Sequence, residues 1–405
     1  MRVLISAGDP SGDRHAARLM AEWRRLQPEL EFVGIGGPRM QQQGLHSLVP
    51  FEELAVVGFW EVAQRYGFFR RLLRRCQALL PEVAAVVLVD YPGFNLQLAK
   101  AARRHGVPVY YYIAPQVWAW GRWRLRTLAE TVSLLLVVLP FEEEFFQRHG
   151  IRTVFVGHPL LDEPILCGEP PPLSAREPQV IFLPGSRRQE WQRHLPVLRQ
   201  TEELLRRDFP ELRIATTAPP GIDPPPQWHH NANVYEALRS SRAALVKLGT
   251  STLEAALCGT PFVAFYRTSA LSYGLARLLV RLPAATLVNI LAPAAPVVPE
   301  FLQWQARPQK LARALARLLC SETAAEAQRT AFAELRQRLG QPGVARRAAV
   351  LLAEALHTTT SSGTRQSAPA TTPSSASAPP LHPTGGRCKA CGQWLLSRDT
   401  RWGKW

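Results

Sequence analysis

The sequence predicts an α/β protein with two doubly wound, Rossmann-like lobes that face each other across a cleft. In residues 1–163, short apolar runs alternate with amphipathic helical stretches, a pattern typical of right-handed βαβ units and a parallel sheet. The alternation restarts at residue 179, after a proline-rich stretch without periodicity. With 405 residues, the chain is also too long for one compact core, which favours two lobes.

The first lobe, residues 1–163, begins with the strand RVLISAG, and a helix from about Gly12 to Gln27 follows it. Further apolar runs bounded by turn residues predict strands at EFVGIGG, AAVVLVD, VPVYYYI, SLLLVV and TVFVG. Residues 164–178 are then expected to form the linker between the two lobes.

The second lobe, residues 179–356, repeats this organisation from the strand QVIFLPG. A helix from about Gln189 to Arg207 follows, and the runs ELRIATT, AALVKLG and PFVAFY predict further strands, with a helix after Ser251. Over residues 308–356, apolar residues recur at three-to-four spacing, so helices are expected to close the fold across the back of the lobes.

The chain beyond residue 356 changes in composition. Residues 357–386 have too few apolar side chains to offset the entropy of ordering, so they predict a disordered linker. Residues 387–405 form a basic tail in which Cys388 and Cys391 are half of a zinc site. A structural zinc site needs four ligands and only His382 lies nearby, so a flexible tail that touches lipid or a partner is the alternative.

Composition and charge exclude several classes of protein. Apolar residues make up 46% and charged residues 20%, which is ordinary for a soluble protein. The run TVSLLLVVLPF has about half of the ~20 residues that span a bilayer, and the first residues lack an export signal. We therefore expect a cytoplasmic protein. The net charge of +16 favours polyanions: nucleic acid, phosphorylated ligands or an anionic membrane surface.

A glycine-rich turn follows the first predicted strand, in SAGDPSGDRHAA. Ligands of open α/β sheets bind beyond the carboxyl ends of the strands, so this turn is a candidate binding site. Gly8 and Gly12 allow a tight turn, and Ser11 lies at a helix N-terminus that can bind an anionic or hydroxyl-rich ligand. Asp13, in the first turn of that helix, either caps the helix or contacts a sugar.

An acidic residue ends another buried strand, in VVLVDYPGFNLQLA. Asp90 is followed by Tyr-Pro-Gly, which forces a turn before the next helix. A carboxylate at this position faces the cleft and can accept a proton from an attacking hydroxyl. The alternative is an aspartate that caps the helix.

Glycine and hydroxyl residues follow two strands of the second lobe, in LPGSRRQE and KLGTSTLEAALCGT. Backbone N–H groups at a helix start bind a diphosphate, and Arg187 adds a charge-assisted hydrogen bond. Glu254, one helical turn beyond Thr250, can hold ribose hydroxyls. No Asp-x-Asp motif is present, so no metal is expected at the diphosphate. The substrate-binding candidates of this lobe are Gly185, Ser186, Gly249, Thr250, Ser251, Thr252 and Glu254.

Many strings of this sequence, in this order, resemble the lipid-A-disaccharide synthase family of inverting glycosyltransferases, which have the two-lobed GT-B fold. The resemblance covers about residues 1–356. The strings that carry it are SAGDPSGD, GIGGPRM, VVGFWEV, DYPGFN, IAPQVWAW, LPFEEEFF, FVGHPLLD, LPGSR, GTSTLEAALCGTPFVAFY, LVNILA and VVPEFLQ.

The resemblance implies the joining of UDP-2,3-diacylglucosamine to 2,3-diacylglucosamine 1-phosphate (lipid X) through a β-1,6 bond, with release of UDP. It implies no cofactor and no nucleic acid partner. Asp90 in DYPGFN corresponds to the family's essential acidic residue and Arg187 in LPGSR to its essential basic one. The resemblance also implies that the nucleotide side of the site includes Glu254, Asn289, Glu300 and Gln303.

Two positions depart from the family pattern. Asp9-Pro10 stands where the family more often has glutamate and a small residue, so a carboxylate is retained. Leu248 stands where serine commonly precedes Gly-Thr, which removes one hydroxyl from the expected diphosphate turn.

The segment over residues 57–80 mixes aromatic residues with arginines, which suits the headgroup region of an anionic membrane. An ordinary helix with one apolar and one charged face is the alternative. Because the implied substrates carry acyl chains, we expect peripheral contact with the inner face of the inner membrane. The expected contact residues are Phe59, Trp60, Phe68, Phe69, Arg70, Arg71, Arg74 and Arg75.

Two other functions fit the two-lobed scaffold. A UDP-sugar epimerase also places a nucleotide beside helix termini, and a non-catalytic nucleotide-sugar binding protein needs no base in the cleft. With a UDP-sugar and no acceptor, an epimerase turns over and a transferase does not. A binding protein gives no product in either assay.

Overall fold

Two parallel sheets organise the protein, which is described by a computed structural model over residues 1–54, 66–219, 221–269, 273–274, 282–292 and 295–363. The first sheet has seven strands in the order β3-β2-β1-β4-β5-β6-β7. Its strands are β1 Arg2–Ala7, β2 Glu31–Ile35, β3 Leu45–Ser47, β4 Ala85–Val89, β5 Val109–Tyr112, β6 Leu134–Val137 and β7 Thr153–Phe155.

The second sheet has six strands in the order β10-β9-β8-β11-β12-β13. Its strands are β8 Glu177–Leu183, β9 Arg213–Thr216, β10 His229–His230, β11 Ser241–Lys247, β12 Phe262–Tyr266 and β13 Glu300–Leu302. In both sheets the chain starts in the middle and later crosses to the other side, so β1 lies beside β4, and β8 beside β11. These doubly wound topologies confirm the predicted fold class, and ligands of such sheets bind where the strand order reverses.

Helices connect the strands and cover the sheets. In the first lobe they are Pro10–Leu26, Pro38–Gln42, Tyr66–Leu79, Pro92–Arg104, Arg124–Thr131 and Pro140–Gln147. In the second lobe and at the end of the described chain they are Arg188–Asp208, Val234–Ser240, Thr250–Leu257, Leu287–Ile290, Pro308–Cys320, Glu322–Arg338 and Val344–Gly363.

The first helix, Pro10–Leu26, begins two residues before the predicted start at about Gly12. Asp9 is the N-cap, and its Oδ1 atom accepts a hydrogen bond of 3.0 Å from the Gly12 N–H. Pro10 occupies the first helical position, where its missing N–H costs nothing. The cap fixes the turn between β1 and the helix at the sheet edge where a ligand is expected.

Buried apolar side chains continue from one lobe into the other. Val3 and Ile5 of β1 belong to the same cluster as Ile181 of β8 and Leu352 of the last helix. Residues 1–363 accordingly form one compact unit. The lobes therefore share a core at their base, and their sheet edges are held in a defined relation.

The last helix, Val344–Gly363, was predicted to end at residue 356 and to belong to the second lobe. It packs against the first helix instead. Asp162 caps it, because the carboxylate accepts hydrogen bonds from the Gly343, Val344 and Ala345 N–H groups. This helix thus returns to the first lobe after the second is complete. The contact joins residues that are far apart in sequence, which the periodicity of a helix does not reveal.

The linker between the lobes ends at a buried arginine. Arg176 is 3% exposed, and its guanidinium donates to the carbonyls of Pro171, Cys258 and Gly259 and to Thr260 Oγ1. These hydrogen bonds anchor the end of the 164–178 segment to the second lobe before β8 begins.

Candidate functional site

The turns after β1 and β4 lie against each other at the carboxyl edge of the first sheet. A Cβ atom at Gly8 would clash with the ring of Tyr91, so only glycine allows this approach. The contact brings Asp9, the residue after Gly8, near Asp90, the residue before Tyr91. Two carboxylates from separate βα units therefore meet at one point of the cleft.

Asp90 occupies a strained backbone conformation. Its φ is 45° and that of Tyr91 is 50°, both in the left-handed region that non-glycine residues rarely adopt. The Asp90 carbonyl accepts hydrogen bonds of 2.7 Å from Asn95 Nδ2 and from Tyr111 Oη. Asn95 is itself buried and accepts a 2.7 Å hydrogen bond from Ser6 Oγ. The surrounding structure thus holds the strained backbone of Asp90 in place.

Charges from both lobes converge on this point. Burial raises the pKa of Asp90 to about 6, and repulsion from the Asp9 carboxylate adds to the rise. Burial also raises the pKa of Asp9, against the opposing effect of the Arg187 charge in the second lobe. Asp90 is therefore a carboxylate with raised proton affinity, and its neighbour Asp9 is the carboxylate that the Arg187 charge reaches from the second lobe; a raised proton affinity is what a general base needs.

The turns after β8 and β11 each contain a glycine with a positive φ, Gly185 at 124° and Gly249 at 139°. Backbone in this region favours glycine over other residues. A Cβ atom at Gly185 would clash with the Glu190 carboxylate beneath it. Glu190 pairs with Lys247 Nζ at 2.8 Å and with Arg187 Nη1 at 3.6 Å. Ser186, Arg187 and Thr250 are exposed, so the second-lobe turn offers N–H groups, hydroxyls and a cation to the cleft.

Glu190 and Lys247 were missed in the sequence analysis. Lys247 follows a run of apolar residues at the end of β11, and a charged residue in that position is a usable signal. Glu190, three residues after Arg187 at the start of a helix, looks like an ordinary first-turn acid. Together they neutralise each other under the turn and leave Arg187 loosely held.

Two residues assigned to the substrate are turned into the protein instead. Asp13 is 3% exposed, and its carboxylate accepts hydrogen bonds from the Gly37, Arg39 and Met40 N–H groups, so it binds the start of the helix Pro38–Gln42 and does not cap its own helix, whose N-cap is Asp9. Thr252 is fully buried, and its hydroxyl donates to the Gly249 carbonyl at 2.8 Å. Both groups shape the turns, because nearby backbone groups already satisfy them.

Glu254 lies in a buried polar cluster between the lobes. Its Oε1 atom accepts a 3.1 Å hydrogen bond from Tyr235 Oη and lies 3.8 Å from Arg14 Nη2. Arg14, on the first helix, also donates to Tyr235 Oη at 3.2 Å and lies 3.6 Å from Glu163. Arg14 and Tyr235 were not predicted, because they are 221 residues apart and only the tertiary fold brings them together. The contact of Glu254 with ribose stays a prediction.

The three remaining nucleotide-side candidates brace neighbouring loops. Glu300 accepts hydrogen bonds from the Thr286 N–H and from Asn289 Nδ2, while Gln303 Oε1 accepts one from the Thr268 N–H. Gln303 also lines an open groove of about 930 Å³ that includes Arg193, Arg267 and Trp304. This volume is in the range of small-molecule sites.

The predicted membrane segment is described only in part, since residues 55–65, with Phe59 and Trp60, lie outside the described residues. The helix Tyr66–Leu79 presents four exposed arginines: Arg70, Arg71, Arg74 and Arg75. Phe68 and Phe69 are half-buried and pack against the first-lobe core, with the Phe69 ring centre 6.4 Å from that of Phe94. The exposed residues of this helix therefore include the four arginines and Tyr66, which is 67% exposed.

Within the described ranges, no group of three or more His, Cys, Asp or Glu side chains is placed to hold a metal ion. None of the helices in that part of the chain is long and apolar enough to cross a membrane. Cys388 and Cys391, like the rest of residues 364–405, lie outside the described residues.

The chain is similar to known proteins over most of its length. A family model described as Lipid-A-disaccharide synthetase matches residues 3–355. The chain belongs to the lipid-A-disaccharide synthase family. A lipid-A-disaccharide synthase of Anaeromyxobacter dehalogenans strain 2CP-1 is 40% identical over 373 residues, which cover 86% of this chain and 96% of the relative. One from Solibacter usitatus is 38% identical over 374 residues, or 88% of this chain and 97% of that protein.

Solved structures with little sequence identity share the fold. The calicheamicin glycosyltransferase CalG4 is 17% identical, with a TM-score of 0.57 and coverage of 88% of this chain and 98% of that one. A UDP-GlcNAc 2-epimerase from Neisseria meningitidis is 10% identical, with a TM-score of 0.57 and coverage of 88% and 100%. These likenesses confirm the predicted GT-B architecture. Family membership, and not the shared fold, favours the glycosyltransferase over the epimerase.

Proposed function

We propose that the protein transfers 2,3-diacylglucosamine from UDP-2,3-diacylglucosamine to 2,3-diacylglucosamine 1-phosphate, and forms the β-1,6 lipid A disaccharide 1-phosphate and UDP. The observation that supports the proposal is the position of Asp90 beside Asp9, whose carboxylate is in turn within electrostatic reach of Arg187 in the second lobe. Asp90 and Arg187 lie in the two turns in which a glycosyltransferase of the lipid-A-disaccharide synthase family needs a base and a cation.

Asp90 acts as the general base in this proposal. Its carboxylate accepts the proton of the acceptor's 6-hydroxyl while the oxygen attacks the anomeric carbon of the donor. The bond from that carbon to the UDP oxygen breaks on the opposite face, so the configuration inverts. Burial supports the role, because a raised pKa increases the proton affinity of the carboxylate while it stays ionised at neutral pH.

Arg187 and the glycine turns stabilise the departing diphosphate. The exposed guanidinium donates to the developing negative charge, and the N–H groups after Gly185 and Gly249 point from helix N-termini toward the same region. Lys247 neutralises Glu190 beneath the turn and so keeps this carboxylate from repelling the diphosphate.

The assay that tests the proposal incubates the enzyme with both lipid substrates and follows the disaccharide 1-phosphate and UDP by mass spectrometry. Product is expected only when donor and acceptor are both present. Turnover of the donor without acceptor would support an epimerase, and the absence of product in both reactions would support a binding protein.

We further propose that the protein works as a peripheral protein on the inner face of the inner membrane, with the helix Tyr66–Leu79 at the lipid surface. The substrates' acyl chains remain in the bilayer, whereas UDP must reach water. The four exposed arginines of this helix can pair with lipid phosphates, and each basic residue near an anionic surface contributes about 1 kcal/mol. Four such contacts are enough for reversible binding.

Changing Arg70, Arg71, Arg74 and Arg75 to glutamate is expected to reduce sedimentation with anionic vesicles, because attraction to lipid phosphates becomes repulsion. Activity on full-length acyl substrates should fall more than activity on short-chain soluble analogues. Added salt should weaken binding of the wild type in the same assay.

A control variant carries the same change in charge on exposed second-lobe positions: Arg199, Arg207, Arg313 and Arg317 to glutamate. This control should sediment with anionic vesicles more like the wild type than the first-lobe variant does. A chain that ends at residue 363 tests the tail. Normal sedimentation of the first-lobe variant, together with loss in the shortened chain, would assign the membrane contact to the tail.

A further inference from the structure

An arginine and two tryptophans form a group after β5, at the start of the helix Arg124–Thr131. Arg124 Cζ lies 4.3 Å from the ring centre of Trp120 and 5.6 Å from that of Trp123. The two rings meet edge to face with centres 6.4 Å apart, and Trp123 is 66% exposed. Stacking of this kind orients a planar guanidinium and leaves its N–H edge available to a ligand.

The loop before the helix holds Arg124 and Trp123 in place. Gly121, with φ 82°, turns the chain so that the Arg124 and Trp123 side chains lie beside it. The Arg124 N–H donates to the Gly121 carbonyl at 2.9 Å, which fixes the backbone of the arginine. The guanidinium is therefore placed by a turn, two rings and a helix start.

The charge of Arg124 is not neutralised within the described ranges of the chain, where no carboxylate pairs with it. Two residues further on, Arg126 does have a partner, because its Nε atom lies 2.7 Å from Glu130. Burial lowers the pKa of the Arg124 guanidinium, which shows that the cation has lost part of its hydration. A partly dehydrated arginine without a carboxylate favours an anionic ligand, and phosphate fits its fork of donors.

Arg124 lies in the same lobe as the proposed catalytic carboxylate, Asp90. Tyr111, whose hydroxyl donates to the Asp90 carbonyl, lies near the Arg124 side chain. β5 and β4 are neighbours, so the turns that carry Arg124 and Asp90 end at the same sheet edge. The donor's diphosphate is assigned to the second lobe, which leaves the acceptor's phosphate without a partner.

We propose that Arg124 binds the phosphate group of the acceptor and makes the enzyme select phosphorylated acceptors. The inference rests on the proposed function and extends it to a residue of the first lobe. The same phosphate chemistry occurs in the headgroups of anionic membrane lipids, so the experiment separates these two sources.

The test compares Arg124→Ala and Arg124→Lys with Arg122→Ala, an exposed arginine two residues earlier in the same loop. Transfer is measured in neutral detergent micelles with 2,3-diacylglucosamine 1-phosphate and with the same lipid lacking its phosphate. Arg124→Ala should lower kcat/KM for the phosphorylated acceptor about 10- to 100-fold, which corresponds to the loss of one charge-assisted hydrogen bond. The kcat/KM of Arg124→Lys should lie between those of the wild type and Arg124→Ala, and that of Arg122→Ala should equal the wild-type value.

Three further readouts decide the inference. The wild type and Arg124→Ala should act equally on the phosphate-free acceptor, keep the same KM for the donor, and sediment equally with anionic vesicles. An equal loss on both acceptors would mean a structural role and would overturn the inference. Lost sedimentation with unchanged kinetics in micelles would reassign Arg124 to membrane headgroups.

Equilibrium binding separates this inference from the proposed function. Titration calorimetry with the phosphorylated lipid in micelles should show weaker binding for Arg124→Ala than for the wild type. A wild type that binds this lipid but forms no disaccharide would contradict the proposed function alone. Equal binding by both proteins would contradict the inference alone.

Discussion

Replacing Asp90 with asparagine is expected to lower turnover by about 10²- to 10⁴-fold, the usual loss of a general base. The substitution keeps the size of the side chain and leaves the backbone hydrogen bonds from Asn95 and Tyr111 in place. UDP should bind as before, because its proposed contacts are in the second lobe. Steady-state kinetics, UDP titration and a thermal melt of the same preparation measure the three quantities.

The pH profile tells whether Asp90 is the base. The reactive form is the carboxylate, which exists above its pKa of about 6, so kcat/KM should fall as the pH drops through about 6. The residual activity of Asp90→Asn should lack this fall. Asp9→Asn is the matched control: it removes a negative charge that raises the Asp90 pKa, so the fall should move to lower pH. Near-normal turnover of Asp90→Asn would refute the role.

The positions of Asp90, Gly185, Arg187 and Gly249 could be predicted because each lies within four residues of the end of a strand. Runs of Val, Leu and Ile mark the buried strands, and parallel strands end at the same edge of a sheet. A local pattern combined with one rule of topology was therefore enough. The strands β3, β10 and β13 have only two or three residues and were not predicted, whereas β7, also three residues long, was found because it lies in the apolar run TVFVG.

The buried contacts between distant segments could not be predicted. Asp13 caps a turn that begins 24 residues later, and nothing in its own neighbourhood distinguishes that role from a sugar contact. Arg14, on the first helix, reaches Tyr235 in the second lobe, and the last helix returns to the first lobe. Such contacts depend on how the lobes pack. A local sequence pattern predicts that a helix or strand forms, but it does not predict which distant residue that element contacts.

Arg187→Ala is the second large effect expected, with kcat/KM for the donor lowered by about 10- to 100-fold. The guanidinium is 59% exposed and only loosely paired with Glu190 at 3.6 Å, so it is free to bind the diphosphate. A hydrogen bond to a charged group contributes about 1.5–3 kcal/mol, which corresponds to that change in rate. Arg188→Ala is the control, since the neighbouring side chain donates to the Gly221 carbonyl instead.

The chelator arm of this experiment tests whether protein groups alone neutralise the leaving UDP. Wild type and Arg187→Ala should each keep their activity in EDTA, because the proposed mechanism stabilises the diphosphate with Arg187 and with the helix N-termini after Gly185 and Gly249. If EDTA abolished wild-type activity and magnesium restored it, the leaving group would depend on a metal. Equal kinetics of Arg187→Ala and Arg188→Ala would remove Arg187 from the diphosphate site, and the glycine turns would then be the groups to test.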